Sequence, residues 1–110
     1  MPGISIHVVD VSRGLVAAGM RVELMRDSKP IAVGDTSAKG LLEIHEPLQA
    51  DVYEAIFHVG DWYRRERVAL PEIPFLDVVT FRFGIADPRQ HYHLPFKCTP
   101  WGYSCFRGGA

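Results

Sequence analysis

Apolar and polar residues alternate along most of this chain in short runs, a pattern typical of strands that bury one face. In the run from Ile4 to Val11, Ile4, Ile6 and Val8 share one face, and the residues between them share the other. The run from Val79 to Ile85 alternates in the same way. Strands are predicted over residues 4–11, 20–25, 31–33, 41–44, 52–59 and 79–85, and two more form a hairpin that begins at His91.

Turn-forming residues separate these runs at intervals of roughly 8 to 12 residues. The one predicted helix is short, from Asp61 to Arg67, with Asp61 placed to cap its N-terminus. Its three arginines are expected to face solvent, and Pro71 and Pro74 prevent it from continuing. Short strands with one minor helix predict an all-β Greek-key sandwich of about eight strands.

Length and composition indicate one domain over residues 1–110, since 110 residues with 47% hydrophobic content support a single modest core. The net charge of −1 gives no electrostatic reason to expect nucleic acid or an anionic membrane as a partner. No signal-peptide pattern opens the chain, and no apolar run approaches the roughly 20 residues that a membrane-spanning helix needs. A cytoplasmic location is therefore expected.

The last twenty residues are dense in aromatic side chains and carry the candidate chemistry, although chain termini are usually loose and polar. Alternation divides the first strand of the terminal hairpin between two faces. The apolar face, which we expect to pack on the core, holds Tyr92, Leu94, Phe96 and Cys98. The outward face holds His91, His93, Pro95 and Lys97.

The second strand of the hairpin adds either of two alternating sets to the histidine face. These sets are Ser104, Phe106 and Gly108, or Tyr103, Cys105 and Arg107. A sheet surface that combines imidazole, ammonium, hydroxyl and aromatic groups indicates the wall of a binding site or a subunit interface.

Cys98 and Cys105 fall on opposite arms of the hairpin and are expected to be free, half-buried thiols. A metal site that combines them with His91 and His93 is not supported, because alternation places Cys98 on the opposite face from both histidines. The chain also has no Cys-x-x-Cys spacing. We therefore predict no metal site.

Several segments resemble, in order and spacing, the transthyretin-like 5-hydroxyisourate hydrolases, and the resemblance covers nearly the whole chain. Its most specific part is the family's His-Tyr-His, followed by Ser/Thr-Pro-x-Gly-Tyr-Ser and a terminal Tyr-Arg-Gly-Ser. The matching segments here are His91-Tyr92-His93, Thr99 to Ser104 and Phe106 to Gly109. Further matches are residues 6–10, 17–24, 35–40 and 86–88.

This resemblance implies a transthyretin-like eight-stranded sandwich that dimerises edge to edge and forms a homotetramer, a dimer of dimers, face to face. A channel is left between the dimers. Transthyretin uses the channel for a hormone, and the enzymes use it for a purine-derived ring. The enzymes hydrolyse a ring amide of 5-hydroxyisourate with no metal or organic cofactor, so we expect a heterocyclic small molecule as the substrate and no cofactor.

Two histidines occupy motif positions that are functional in the family. His7 matches the histidine of its first strand, and His93 matches the second histidine of His-Tyr-His. An unperturbed imidazole titrates at about pH 6.5, so either side chain is able to exchange a proton at neutral pH. We expect His7 and His93 to be catalytic and His91 to be structural.

The chain departs from the family at positions that hold the substrate there. The family's arginine after the glycine of Asp-Gly-Arg, whose planar donors suit a bidentate grip, is Leu41 here. The terminal tyrosine and serine are replaced by Phe106 and Gly109. Lys97, in contrast, adds a cation on the predicted face of His93.

The predicted substrate-binding residues are Leu41, Lys97, Ser104, Phe106 and Arg107. A second interpretation stays open for three of them. Lys97 is either a cation of the channel or an exposed lysine at an edge, and Ser104 either donates to the substrate or lines the channel. Arg107 either contacts the substrate or makes a structural ion pair or a contact with the terminus.

Two functions compete. In the first, the chain is a ring-opening hydrolase of urate or purine catabolism whose substrate is 5-hydroxyisourate or a less polar relative, for instance an N-methylated ring. A site that has lost hydrogen-bonding groups changes its specificity, and apolar side chains at positions 41 and 106 suit methyl groups. In the second, catalysis is lost and the chain is a transthyretin-like binding protein. We favour the hydrolase because both histidines persist.

Overall fold

A computed structural model describes residues 2–109 of the chain. Within these residues the chain forms nine strands and one helix. The strands are β1 Gly3–Asp10, β2 Leu15–Val16, β3 Arg21–Arg26, β4 Lys29–Asp35, β5 Leu41–Ile44, β6 Asp51–His58, β7 Val78–Ile85, β8 His91–Thr99 and β9 Gly102–Cys105. The helix α1, Val59–Arg65, follows β6 directly. The described part of the chain contains no helix long and apolar enough to cross a membrane.

The strands form two sheets, which confirms the predicted all-β Greek-key sandwich with one short helix. One sheet has the order β4-β3-β6-β7, with antiparallel neighbours. In the other sheet, β8 lies between β1 and β9, and the remaining edge of β1 pairs with β5 and β2. β1 and β8 are parallel although they lie at opposite ends of the sequence. Their pairing brings the two segments with predicted catalytic histidines side by side.

Alternate residues of both sheets fill the space between the sheets. Ile6 and Val8 of β1 are fully buried, and Phe57 of β6 stacks on Phe96 of β8 with ring centroids 3.8 Å apart. The apolar face predicted for β8 is confirmed, because its members are all buried: Tyr92, Leu94, Phe96 and Cys98. The opposite face of β8, with its histidines, therefore points away from the core.

The helix begins earlier than the sequence predicts. The prediction of Asp61 as its N-cap is wrong, because the helix starts at Val59 and Asp61 lies in its first turn. Its buried apolar side chains are Val59, Trp62 and Tyr63. Residues three and four positions apart share one face of a helix, so these side chains form a single buried face. The helix therefore starts directly at the end of β6. The arginines that were placed on the solvent side are exposed, although Arg67 lies beyond the end of the helix.

One strand begins earlier than predicted, and another is not predicted at all. Asp27 and Ser28 both have positive φ angles, 55° and 61°, so two residues are enough to reverse the chain and β4 begins at Lys29. β2 has two residues and pairs only with the end of β1, where Val16 lies opposite Val9. Such a short strand has no alternation of its own, and the sequence does not predict it.

Gly40 fixes the approach of β5 to β1. Its φ angle is +74°, and a Cβ atom there would lie 2.7 Å from the carbonyl oxygen of Val8. Because glycine alone tolerates both conditions, the chain turns closely against β1 and sets Leu41 directly opposite His7.

A buried carboxylate closes the end of β1. Asp10 is fully buried, and its oxygens accept hydrogen bonds from the Ser12 hydroxyl (2.6 Å), Arg13 Nε (2.6 Å) and the Tyr63 hydroxyl (2.8 Å). Burial by itself would raise the pKa of Asp10, but these hydrogen bonds and the charge of Arg13 together lower it. The network ties β1 to the helix, because Tyr63 belongs to α1.

Candidate functional site

The outward face of the five-stranded sheet carries six of the seven predicted site residues. Residues paired across strands point to the same side of a sheet, so the register arranges this face in rows. The row through His7 has Leu41 of β5 on one side and Pro95 of β8 on the other. The β8–β9 register, continued past Cys105, places Phe106 beside Pro95. Leu41 and Phe106, both partly exposed, thus flank the row about 14 Å apart.

The neighbouring row runs through His93. Ser5 of β1 is the partner of His93, Glu43 of β5 is the partner of Ser5, and Gly108 forms a bridge with His93 from the other side. The Ser5 hydroxyl lies 2.7 Å from Nδ1 of His93 and 2.8 Å from Nε2 of His91. One serine therefore connects two imidazole rings.

His7 and His93 are diagonal neighbours, because His7 lies two residues beyond the partner of His93 on the adjacent strand. Diagonal positions on adjacent strands have Cα atoms roughly 7–8 Å apart, within reach of imidazole side chains. Burial lowers the pKa of His93, and the charges of His7 and His91 lower it further, against a hydrogen bond to the Ser5 backbone that raises it. At neutral pH the His93 ring is therefore neutral and able to accept a proton.

The terminal segment, which includes Gly108, packs against the side of the His93 ring that faces away from Ser5. The backbone N–H of Gly108 donates to the His93 carbonyl oxygen at 2.8 Å. A Cβ atom on Gly108 would lie 2.8 Å from Cγ of Pro95 and 3.3 Å from Cδ2 of His93. The absence of a side chain at this position lets the terminal segment approach the site closely.

Lys97, Ser104 and Phe106 form a group beside the histidine rows. Ser104 is the partner of Lys97 across the hairpin, and the Lys97 ammonium lies 5.8 Å from the centre of the Phe106 ring. This distance is within the range of a cation–π contact. The set of Ser104, Phe106 and Gly108, rather than the alternative set, joins the histidine face.

Arg107 is not brought together with the other predicted site residues. Its guanidinium lies 4.0 Å from the centre of the Tyr92 ring and donates to the Gln90 side chain and the His91 carbonyl oxygen. Within this chain Arg107 holds the terminal segment against the start of β8. This geometry agrees with the interpretation of Arg107 as a contact with the terminus.

Both cysteines of the hairpin are free thiols, as predicted, but Cys98 is fully buried rather than half-buried. Burial raises the pKa of Cys98 to about 11 and that of Cys105 to about 12, so both thiols are protonated at neutral pH. Among residues 2–109, no group of three or more histidine, cysteine, aspartate or glutamate side chains is arranged to hold a metal ion.

The sequence alone gives Ser5 no role and predicts only a structural one for His91. Ser5 alternates onto the same face of β1 as His7, which is a signal for its presence at the site. Its contacts with the histidines depend on the parallel pairing of β1 with β8, and no local pattern in the sequence predicts that pairing. The site thus offers a neutral imidazole, two further imidazoles nearby, a linking hydroxyl, one cation and apolar flanks.

Known proteins resemble this chain over nearly its whole length. A family model described as the HIUase/Transthyretin family matches residues 4–108. The chain is 43% identical to a 5-hydroxyisourate hydrolase of Deinococcus radiodurans, with 97% of this chain and 96% of that protein covered. It is 40% identical to a protein of the same name from Ralstonia nicotianae, with 98% and 99% covered.

A solved structure of Klebsiella pneumoniae 5-hydroxyisourate hydrolase has the same fold. Its TM-score against this chain is 0.87 at 31% sequence identity, and the match covers 99% of this chain and all of the Klebsiella chain. The similarity therefore extends over both sheets, including β1, β8 and the terminal segment.

Proposed function

Because the chain belongs to the HIUase/Transthyretin family, we propose that it is a hydrolase that opens a ring amide of 5-hydroxyisourate, or of a modified relative, without a cofactor. The observation that carries this proposal is the placement of His7 and His93 as diagonal neighbours on one outward sheet face. The hydrolase names of relatives that are 40–43% identical over nearly the whole chain support it further.

His93 is the proposed general base. Its lowered pKa leaves the ring neutral at neutral pH, so Nε2 accepts a proton as water attacks the ring carbonyl carbon. His7, on the adjacent strand, is the proposed donor to the carbonyl oxygen as negative charge develops there. The C–N bond then breaks, and the proton held by His93 moves to the departing ring nitrogen.

We propose that the preferred ring is less polar than 5-hydroxyisourate, for instance an N-methylated form. Leu41 and Phe106 border the histidine rows with hydrocarbon surface, and neither side chain donates a hydrogen bond. A methyl group packs favourably on such surface, whereas an unsubstituted ring N–H loses a partner there. Lys97 is then the proposed cation that holds an electron-rich part of the ring.

A homotetramer is the proposed assembly. Three apolar side chains on or beside the histidine face are substantially exposed in the single chain: Val16, Leu41 and Phe106. Burying them against a second copy would enclose the site between two such faces and exclude water from it. A cytoplasmic location and a single domain over residues 1–110 stay predictions from the sequence.

The proposed function is tested with freshly generated 5-hydroxyisourate and its N-methylated forms. We expect the purified protein to accelerate the loss of near-ultraviolet absorbance, with kcat/KM about fivefold higher for a methylated ring, since one buried methyl contributes about 1 kcal/mol. The Leu41→Arg variant should reverse this preference. Val33→Arg, which adds the same charge at an exposed position of the other sheet, is the matched control.

Each outcome of this assay separates the candidate functions. Decay of every ring at the rate of the protein-free solution would refute the hydrolase and leave the transthyretin-like binding protein, which calorimetry with the same rings would then detect. Equal kcat/KM for methylated and parent rings would refute the role of Leu41 in specificity while the hydrolase stands.

Removing the charge of Lys97 should chiefly weaken substrate binding. In Lys97→Met the aliphatic length is retained and the ammonium is lost, so we expect KM to rise about five- to tenfold with kcat changed less than twofold. Lys29→Met, at an exposed position of the other sheet, is the control. A fall in kcat at constant KM would contradict the holding role of Lys97.

A further inference from the structure

The Ser5 hydroxyl contacts two histidine rings of the site, and the proposed catalytic steps do not involve it. Its hydroxyl lies 2.8 Å from Nε2 of His91 and 2.7 Å from Nδ1 of His93, both within hydrogen-bonding distance. The parallel register places Ser5 directly beside His93 and two residues along from the partner of His91, so backbone pairing itself holds the three side chains together.

A single hydroxyl proton restricts how the three groups share hydrogen bonds. Ser5 Oγ donates to one ring nitrogen at a time, so the other ring must donate its N–H to Oγ. If Ser5 donates to His91, His93 carries its proton on Nδ1 and its Nε2 is bare. If Ser5 donates to His93, Nε2 of His93 carries the proton. Through Ser5, the tautomers of the two rings are therefore linked.

The His93 ring is also fixed in orientation. Nδ1 contacts Ser5, and Cδ2, the other atom bonded to Cγ, faces Gly108 on the opposite side. With both inner positions of the ring occupied, Cε1 and Nε2 form its outer end. Nε2 is therefore the nitrogen that reaches a molecule on the sheet face.

We propose that Ser5 is a positioning residue that holds His93 in the Nδ1–H tautomer, with a bare Nε2 at the outer end of the ring, by donating its own proton to His91. The proposal rests on the role of His93 as base in the proposed function. It gives His91 a part in the chemistry, in addition to its structural position at the start of β8.

The arrangement also accounts for the proton that His93 collects. When Nε2 takes a proton from water, the Nδ1 proton passes to Oγ of Ser5 as the hydroxyl proton passes to Nε2 of His91. Positive charge then moves to His91, and no proton is gained or lost by the three groups beyond the one taken from water. The other titratable or charged side chains on or beside this face include His7 of β1, Glu43 of β5 with its neighbour His45, and Lys97 of β8.

Nitrogen-15 NMR of the imidazole rings tests the linkage without any substrate. In the unchanged protein near neutral pH, we expect His93 with a protonated Nδ1 and a bare Nε2, and His91 in the same tautomer. In Ser5→Ala both rings should change together to mixed tautomers, because the shared hydroxyl is gone. His93 spectra that are identical in the two proteins would overturn the proposal, whatever the enzyme assay gives.

Activity provides the second measurement. We expect Ser5→Ala to lower kcat about tenfold, to leave KM within twofold, and to change the acid limb of the pH profile, whereas Ser5→Thr retains the hydroxyl and should recover most of the rate. Thr80→Ala removes an exposed hydroxyl from the other sheet and is the control. Equal loss in Ser5→Ala and Ser5→Thr would overturn the proposal in favour of a packing role. Absence of activity in the unchanged protein would refute the proposed function and leave the NMR result standing.

Discussion

The His93→Ala and His7→Ala variants are each expected to lose about a hundred- to ten thousandfold in kcat/KM, the range that general acid–base catalysis contributes. His93→Ala removes the imidazole proposed to accept the proton of water, and His7→Ala removes the proposed donor to the developing oxyanion. Both side chains lie on the outward face, so their loss leaves no cavity in the core. The melting temperature should change by only a few degrees, since non-core substitutions usually alter stability by less than about 1 kcal/mol.

The pH dependence of the unchanged enzyme gives an independent check on His93. Its pKa lies below the ordinary value of 6.5, and the base form exists above that pKa. We therefore expect kcat/KM to be constant through neutral pH and to fall only as the pH drops below about 6.5. His58→Ala, which removes a histidine from β6 of the other sheet, should keep full activity. More than a tenth of the activity retained in His93→Ala would exclude His93 as the base.

Alternation alone predicts which side chains of β1 and β8 face outward, because the period of two is a property of the strand backbone. His7, His93 and Lys97 are placed on the outward face by counting residues, and the structure agrees. The choice between the two sets on the final strand needed the hairpin register, which depends on the turn at Pro100 and Trp101. With Ser104 opposite Lys97, that register brings Ser104, Phe106 and Gly108 to the site.

The position of Ser5 beside the two histidines cannot be predicted from the sequence. Its two histidine contacts join residues 86 and 88 positions apart, and they exist only because β1 and β8 pair in parallel. The family's motifs predict functional roles for His7 and His93 and give Ser5 none. Arg107 shows the converse: it lies in a matching motif, yet in this chain its guanidinium packs on Tyr92 at the other side of the strand.

The site also depends on a network that lies on the core side of β1, at its end. Asp10 follows the outward-facing Val9 and is completely buried, while the Arg13 that pairs with it is about one third exposed. Replacing Asp10 would leave the Tyr63 hydroxyl with only the weakly accepting Cys98 sulfur, 3.7 Å away, and free the loop after β1. The geometry of β1, and with it the placement of His7, is thus sensitive to a residue that does not lie on the outward face.

We expect Asp10→Ala to lower the free energy of unfolding by about 3 kcal/mol, the lower end of the range for breaking a buried ion pair, because Arg13 keeps contact with solvent. The melting temperature should fall by roughly 10–20 °C. Asp61→Ala is the matched control: it removes an exposed carboxylate that pairs with Arg64 at 3.1 Å, and pairs of this kind contribute about 0.5 kcal/mol or less. Urea unfolding of the three proteins at pH 7 measures both differences.

Acid should reduce the difference in the free energy of unfolding between the unchanged protein and Asp10→Ala. The pKa of Asp10 is lower in the folded chain than in the unfolded chain, so the unfolded chain binds a proton more readily and stability rises with pH. The contribution of Asp10 is complete above the unfolded pKa of about 4 and is lost as the pH falls through the folded pKa. The gap between the urea midpoints, measured from pH 7 down to pH 3, should therefore begin to narrow as the pH falls below about 4. A constant gap between the two midpoints across this range would show that packing, rather than the charge of Asp10, provides the stability.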